Sequence, residues 1–328
     1  MKTSTKILRY FAAAALTIIL LIIARQLSMV RPINIETSGG SVAVEHTTVP
    51  KIVEGKPDRI TVKIINPEQK MLAPILHWIA AKENIDDPNR YQSLAMIPDS
   101  TPDTYAAMMP AMERGTIIYY YIDARDNNGM PLARLPESGD RPIKLKYEGG
   151  VPSYIVIPHI FLMFIAVFLA SLALIDSVGV ISGQERLVPM ARNFLWAALA
   201  VFFGGYPFGW AMNYFAFGMI WEGIPFGWDF TDNKTQIVLL YLMFLNLSTL
   251  GTLSKNRLGT DNFRGKSLGW LGLLGFILVL GIYIVPHSIQ FSIPVTALFS
   301  YGLTAVIAIL YISGLTGKKK WNAPSSPK

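Results

Sequence analysis

Residues 155–175 read IVIPHIFLMFIAVFLASLALI, with no Asp, Glu, Lys or Arg. The hydrocarbon core of a bilayer, about 30 Å thick, takes about 20 residues of helix to cross. This stretch therefore reads as a membrane span, and it sets the class of the chain. Five further stretches read the same way: Tyr10–Ala24, Phe194–Tyr214, Gln236–Leu253, Leu268–Val285 and Val295–Ile312. The first is short and lies between Arg9 and Arg25, whose long side chains can reach toward headgroups. Lys2, Lys6 and Arg9 would also suit the charged start of a signal peptide. No small-x-small cleavage site follows promptly, however, and the expectation is a retained anchor.

The charge distribution separates these spans from one polar segment. Of 29 Lys and Arg and 22 Asp and Glu in 328 residues, 14 basic and 16 acidic residues lie in 31–148. The remaining 15 basic and 6 acidic residues carry the whole net charge of +7, so the basicity belongs to the membrane part and does not suggest nucleic acid. Basic residues beside spans set orientation. With the N-terminus in the cytoplasm, thirteen Lys and Arg fall on the inner side, and the short outer loops hold only Lys234. The segment 31–148 is then extracytoplasmic and the C-terminal tail is inside, as expected for a bacterial inner-membrane protein with a periplasmic domain. The chain divides into an anchor (1–30), an outer domain (31–150), a five-helix membrane domain (151–317) and a basic cytoplasmic tail (318–328). The absence of cysteine rules out disulfides, iron–sulfur clusters and thiolate zinc sites.

The outer segment reads as β-structure. Ile60, Val62 and Ile64 alternate with polar neighbours, as do Ile143, Leu145 and Tyr147. Ile118, Tyr120, Ile122 and Ala124 share one face of the run 116–125, which ends at Asp126-Asn-Asn-Gly129, a tight-turn signal. Further strands are expected at 42–49, 75–81, 91–97 and 104–109. Seven short strands without helical periodicity predict a β-sandwich.

Two strings carry a resemblance. Tyr105-Ala-Ala-Met-Met-Pro110 and Arg114-Gly-Thr-Ile-Ile-Tyr-Tyr-Tyr-Ile-Asp-Ala-Arg-Asp-Asn-Asn-Gly129 resemble the late strands of immunoglobulin-like and fibronectin-III-like domains. Trp78 on the third predicted strand resembles their core tryptophan. The resemblance covers this domain alone and departs from true immunoglobulin domains in lacking a cysteine pair. It implies a partner-binding or spacer domain and no activity. His46 and His77 also lie here, a full strand apart; they are expected as surface or half-buried strand residues rather than metal ligands, since no third ligand stands at short spacing.

The membrane domain carries a repeated hexapeptide, Gly205-Tyr-Pro-Phe-Gly-Trp210 and Gly223-Ile-Pro-Phe-Gly-Trp228. Proline removes a helix donor, so each copy is expected to break or kink a helix at the outer rim. Tyr206, Pro207, Phe208, Trp210, Trp221, Glu222, Pro225, Phe226, Trp228 and Asp229 form the expected rim, with Tyr214, Phe215, Phe217 and Phe230 beside it. It reads either as an interfacial aromatic belt or as a broken helix lining a ligand or quinone pocket. Asn233-Lys-Thr-Gln236 fits a capping box. Glu222 and Asp229 are left unassigned by this reading, which offers a cation, pairing with Arg25 or Lys234, or docking of a partner.

The spans hold no central ionisable residue, which argues against an ion-coupled transporter. His159 and His287 fall at one level by this topology and would be the ligands of a haem b, the one cofactor the sequence suggests; otherwise each simply ends a span. No complete catalytic constellation or nucleotide motif is visible. The fold expectation is thus six transmembrane helices plus an extracytoplasmic all-β, immunoglobulin-like or fibronectin-III-like sandwich between the first two. The leading functional expectation is a non-catalytic subunit or assembly factor of a membrane complex. Its partners would be other membrane subunits, an extracytoplasmic protein and the lipid bilayer. A haem or quinone electron-transfer subunit and a small-molecule or lipid transporter are the alternatives.

Overall fold

The computed structural model describes residues 3–39, 42–66, 72–81, 84–126, 128–286 and 291–322. It divides into two compact units. One comprises Met1–Met29, Pro152–Met212 and Ile220–Lys328, and the other comprises Val30–Val151 with Asn213–Met219.

The β unit contains eleven described strands: β1 Asn34–Gly39, β2 Val42–Thr47, β3 Lys51–Val53, β4 Asp58–Ile65, β5 Ile75–Ala80, β6 Gln92–Ala95, β7 Ile97–Pro98, β8 Thr104–Met109, β9 Ile117–Arg125, β10 Pro131–Leu135 and β11 Ile143–Glu148. One sheet runs β1-β2-β4-β8-β7 and the other β3-β11-β9-β5-β6, with β10 also paired to β9. All pairings are antiparallel except β3 with β11. All seven predicted strands are present. The additional β1, β3 and β10 are short or polar. The predicted run 91–97 splits at Met96, giving β6 to one sheet and β7 to the other.

Alternation builds the core. Ile60, Val62 and Ile64 from β4 meet Ile118, Tyr120 and Ile122 from β9, with Trp78, Leu145 and Tyr147 filling the same cluster. Each fully buried apolar side chain of this kind contributes about 1.5–3 kcal/mol. His46 is 3% exposed and belongs to this interior, not to a half-buried surface. Its Nδ1 lies 2.6 Å from the Thr61 carbonyl and its Nε2 2.7 Å from the Tyr120 hydroxyl. A carbonyl only accepts, so Nδ1 donates and Nε2 accepts from the tyrosine. Burial pushes the His46 pKa down, and the hydrogen bond to Thr61 only partly offsets it. The unfolded state therefore takes up the proton more readily. This contribution is complete above the ordinary value of 6.5 and fades as pH falls below it. Denaturation of the full chain in detergent at pH 7.5 and 5.5 should show a loss at the lower pH that His46→Gln diminishes.

In the helical unit the helices are α1 Thr3–Ser28, α2 Ser153–Ile181, α3 Leu187–Phe203, a π-helical turn Gly204–Phe208, α4 Gly209–Phe217, α5 Phe230–Ser248, α6 Leu250–Leu253, α7 Gly265–Ile284 and α8 Ile293–Asn322. Among the described residues, five helices are long and apolar enough to cross a membrane: Ile7–Ser28, Ser153–Ile181, Leu187–Phe217, Gly265–Ile284 and Ile293–Lys318. The expected fourth span, Gln236–Leu253, lies on α5 and α6 and is not among them. The first two turns of α5 hold Asp232, Asn233, Lys234, Thr235 and Gln236, which lower its hydropathy. Even so, α5 packs against α3, α7 and α8.

Arg9 does not snorkel as expected. It pairs with Asp176 of α2 at 3.1 Å, while Arg186 stands 3.8 Å away and Asn193 donates at 3.0 Å. Helix α7 approaches its neighbours through glycines. A Cβ on Gly272 would lie 2.4 Å from Ser177 Oγ, and one on Gly275 2.7 Å from Leu245.

The unit boundary falls within α4, and its last turns belong to the β unit. The amide of Gly149 donates to the Ala216 carbonyl at 2.9 Å. Arg114 donates to the Phe215 carbonyl and lies over the Tyr214 ring, and Lys146 lies over Phe217. Tyr214, Phe215 and Phe217, grouped with the rim by sequence, are engaged here instead. A Cβ on Gly149 would stand 2.0 Å from the Phe215 carbonyl oxygen, a backbone atom that no rotamer change can move. Gly149→Ala should therefore loosen 213–219 at a cost of about 1–3 kcal/mol. Faster chymotryptic cleavage within 213–219 is the expected readout, and Gly150→Ala, whose Cβ meets nothing within 4 Å, should leave it unchanged.

Candidate functional site

The two hexapeptides fold differently although their sequences match. The first stays helical. Pro207 cannot donate a backbone hydrogen bond, and the helix widens to a π turn at Gly204–Phe208, a feature often found at functional positions. Gly205 permits the turn to approach α5, since a Cβ there would lie 2.8 Å from Thr235. His159 of α2 places Nδ1 2.9 Å from the Gly204 carbonyl. Nδ1 is thus the donor and Nε2 is left as the acceptor of the neutral ring. His287, its proposed partner in haem ligation, lies outside the described residues.

The second copy is a tight non-helical loop fastened to the start of α5. Asp232 Oδ2 accepts the Glu222 amide at 2.7 Å, and Asn233 Oδ1 accepts the Ile224 amide at 2.9 Å. Gly227 donates to the Gly223 carbonyl, and Asp229 to that of Glu222. Both glycines are required, because a Cβ would meet the Trp221 ring at 2.7 Å in one case and the Glu222 carbonyl oxygen at 2.3 Å in the other. Asp229 is the N-cap of α5, its Oδ1 accepting the Asp232 amide at 2.9 Å. The capping box expected at Asn233 is replaced by this earlier cap, because Asn233 is already helical and turns back to hold the loop. Lys234 is buried, and its Nζ donates to the Val285 carbonyl.

Around this frame the aromatic residues form two groups. Tyr206 stacks on Trp221 with ring centroids 5.4 Å apart, and Phe202 and Trp210 lie beside it. Phe226 stands at the loop tip with 85% of its surface exposed, and Trp228 beside it, 41% exposed, packs edge-on against Tyr301 of α8. Pro225 is exposed, whereas Phe208 and Glu222 are half-buried. The rim therefore consists of a packed inner stack and a protruding apolar tip.

A further cluster went unseen in the sequence. On the outer face of the second sheet, Ser93 Oγ lies 2.9 Å from His77 Nδ1. His77 Nε2 lies 3.4 Å from Asp123 Oδ2, an ion-pair distance rather than a formed hydrogen bond. Arg125 also pairs with Asp123, at 2.8 Å. The His77 ring stacks on Tyr121 at 4.7 Å, and the Arg134 guanidinium sits 3.7 Å over that same ring. Burial opposes ionisation of Asp123, but the facing His77 and Arg125 outweigh it and hold its pKa below the usual carboxylate value. His77, 9% exposed, is more buried than expected. It faces outward while His46 faces the core, so the two histidines are not brought together. Among the described residues no three His, Cys, Asp or Glu side chains converge as metal ligands. No short-range motif could have revealed this cluster, since its members lie on β5, β6 and β9 and meet only through strand register.

Fold and site together define a chain with five helices of membrane-spanning length and a two-sheet β domain. No protein-family model matches it, and no curated protein matches it. Among solved structures, it is similar to that of Astrotactin-2, described as a conserved vertebrate-specific and perforin-like membrane protein involved in neuronal development, at 9% identity and a TM-score of 0.22. The match covers 80% of this chain and 37% of that one. A score this low does not establish a shared fold.

Proposed function

We propose that the chain is an integral subunit or anchoring factor of a membrane complex, presenting an immunoglobulin-like sandwich to an extracytoplasmic protein. The immunoglobulin-like reading is supported by the order β2-β4-β8-β7 in one sheet and β11-β9-β5 in the other, which follows the A-B-E-D and G-F-C arrangement. Buried Trp78 on β5 supports it further. Six spans, rather than five, are supported by the packing of α5 among α3, α7 and α8. An outer β domain with both termini inside is supported by the thirteen basic residues on one side of the spans against Lys234 on the other.

The observation that carries the complex reading is the Phe226–Trp228 tip. It is apolar and exposed, yet held rigid by Asp229, Asp232, Asn233, Gly223 and Gly227. Preorganised aromatic anchors bind with little ordering cost. The charged residues buried in the helical unit, Asp176, Asp232 and Lys234, each hold a helix or loop to its neighbour. A photoreactive residue at Phe226 in native membranes should yield a protein adduct of discrete mass, removed by Trp228→Ala. Adducts with lipid alone would favour a headgroup belt and sink the partner reading.

A second reading rests on His159. Its Nδ1 is committed to the Gly204 carbonyl, the arrangement in which an imidazole presents Nε2 to a metal. Haem b ligation with His287 predicts a Soret band after expression with ample haem, and its absence would end that reading.

A further inference from the structure

The cluster on the outer face of the β unit has the composition and order of a nucleophile, a base and an orienting acid. We propose that Ser93 is the nucleophile of an acyl-transfer site acting on carboxylic esters, with His77 as its general base and Asp123 as the group that orients the imidazole. This goes beyond the partner-binding reading and does not depend on it.

Strand register brings the three together. His77 stands directly opposite Ser93 on β6, and Asp123 lies on β9, opposite Ile75 two residues away. The amide of Met96 donates to the Pro74 carbonyl. Amides in an antiparallel strand alternate in direction, so those of residues 92 and 94 also turn toward β5. His77 and Ser93 are then a non-hydrogen-bonded pair, the kind whose side chains approach most closely. The Ser93 amide points the other way, toward the sheet edge, since β6 ends its sheet among the described strands. That N–H is available to an oxyanion formed at Ser93. Ser93 itself is exposed, whereas His77 and Asp123 are 9% and 8% exposed. The nucleophile is therefore accessible while its base is fixed by packing.

The tautomer needed is the one the neighbours favour. Asp123, ionised and paired with Arg125, stands 3.4 Å from Nε2 and favours a proton there by its charge, and Nδ1 then accepts from the Ser93 hydroxyl. The roles of the two ring nitrogens are exchanged relative to the familiar serine-hydrolase triad, but either nitrogen can act as the base. Stacking on Tyr121 fixes the ring plane, and Tyr91, 5.0 Å from Tyr121, flanks it. Among the described residues, the other charged groups against this cluster are Arg125, paired with Asp123, and Arg134, over the Tyr121 ring.

In the first step Ser93 Oγ bonds to the ester carbonyl carbon, its proton passes to His77 Nδ1, and the carbonyl π pair moves onto oxygen. Collapse of this adduct breaks the carbon–oxygen bond to the leaving alcohol, which takes the proton from Nδ1. Water then repeats the sequence on the acyl-serine, giving the carboxylic acid and free Ser93. No redox partner or metal is needed.

The test uses the full chain in mild detergent. A fluorophosphonate probe should add once, and peptide mapping should place the adduct on Ser93. p-Nitrophenyl butyrate hydrolysis should fall to background in Ser93→Ala, an exposed change that leaves folding intact. His77→Gln should slow it by about 100-fold or more. Asp123→Asn, which alters a positioning residue, should lower kcat with KM nearly unchanged. An adduct absent from Ser93 in folded protein, or hydrolysis that persists in Ser93→Ala, overturns the proposal.

Discussion

Asp176→Ala is expected to lower the stability of the helical unit by about 3–5 kcal/mol, the range for breaking a buried ion pair by removing one partner. The Asp176 side chain is fully buried, and Arg9 and Arg186 both turn toward it. Arg9 itself is mostly withdrawn from solvent, so deleting the carboxylate strands a guanidinium between α1 and α2. The exposed Lys51–Glu148 pair provides the contrast. Its removal by Glu148→Ala should cost no more than about 1 kcal/mol, because solvent screens such pairs. Thermal unfolding in detergent, followed by size-exclusion recovery, measures both. An apolar double replacement, Arg9→Met with Asp176→Leu, should recover most of the loss, since the penalty lies in the unpaired charge.

Gly272→Leu is expected to be comparably damaging for a steric reason. The glycine lies on α7 against Ser177, Met190 and Phe194, and its Cβ would fall 2.4, 2.9 and 3.2 Å from their atoms. Small residues at membrane helix interfaces allow backbones to approach closely, and van der Waals packing is one of the forces that drives the association. A leucine must push α7 away from α2 and α3, at about 1–3 kcal/mol or more. Gly281 on the same helix has nothing within 4 Å of its Cβ, so Gly281→Leu should be tolerated. Loss of monodispersity in Gly272→Leu but not Gly281→Leu is the expected result. Equal behaviour would mean that the glycine seam is not a packing determinant.

Periodicity and charge carried most of the fold. Alternation at Ile60, Val62 and Ile64 gave the correct buried face of β4, and the Asn128-Gly129 turn lies where β9 ends and β10 begins. Elements without alternation stayed hidden. β1 and β3 are held by pairing with other strands, which no local pattern reveals. The pairing of Arg9 with Asp176 was also hidden, because only helix packing joins them across 167 positions. At the rim, the hexapeptides were found from their repetition and their helix-breaking residues. Their divergence into a π turn and a loop depends on Asp232 and Asn233, whose side chains reach backward to Glu222 and Ile224. The Ser93–His77–Asp123 cluster was invisible for the same reason as β3: only register brings its members together.

Because the chain has no cysteine, single cysteines can report membrane sidedness directly. Asp140→Cys in the β unit and Lys255→Cys after α6 both replace exposed side chains. Treatment of intact cells with a membrane-impermeant maleimide should modify Asp140→Cys at once, and Lys255→Cys only after the membrane is opened. Labelling of Lys255→Cys in intact cells with Asp140→Cys protected would contradict an outward β domain on inward-facing basic loops.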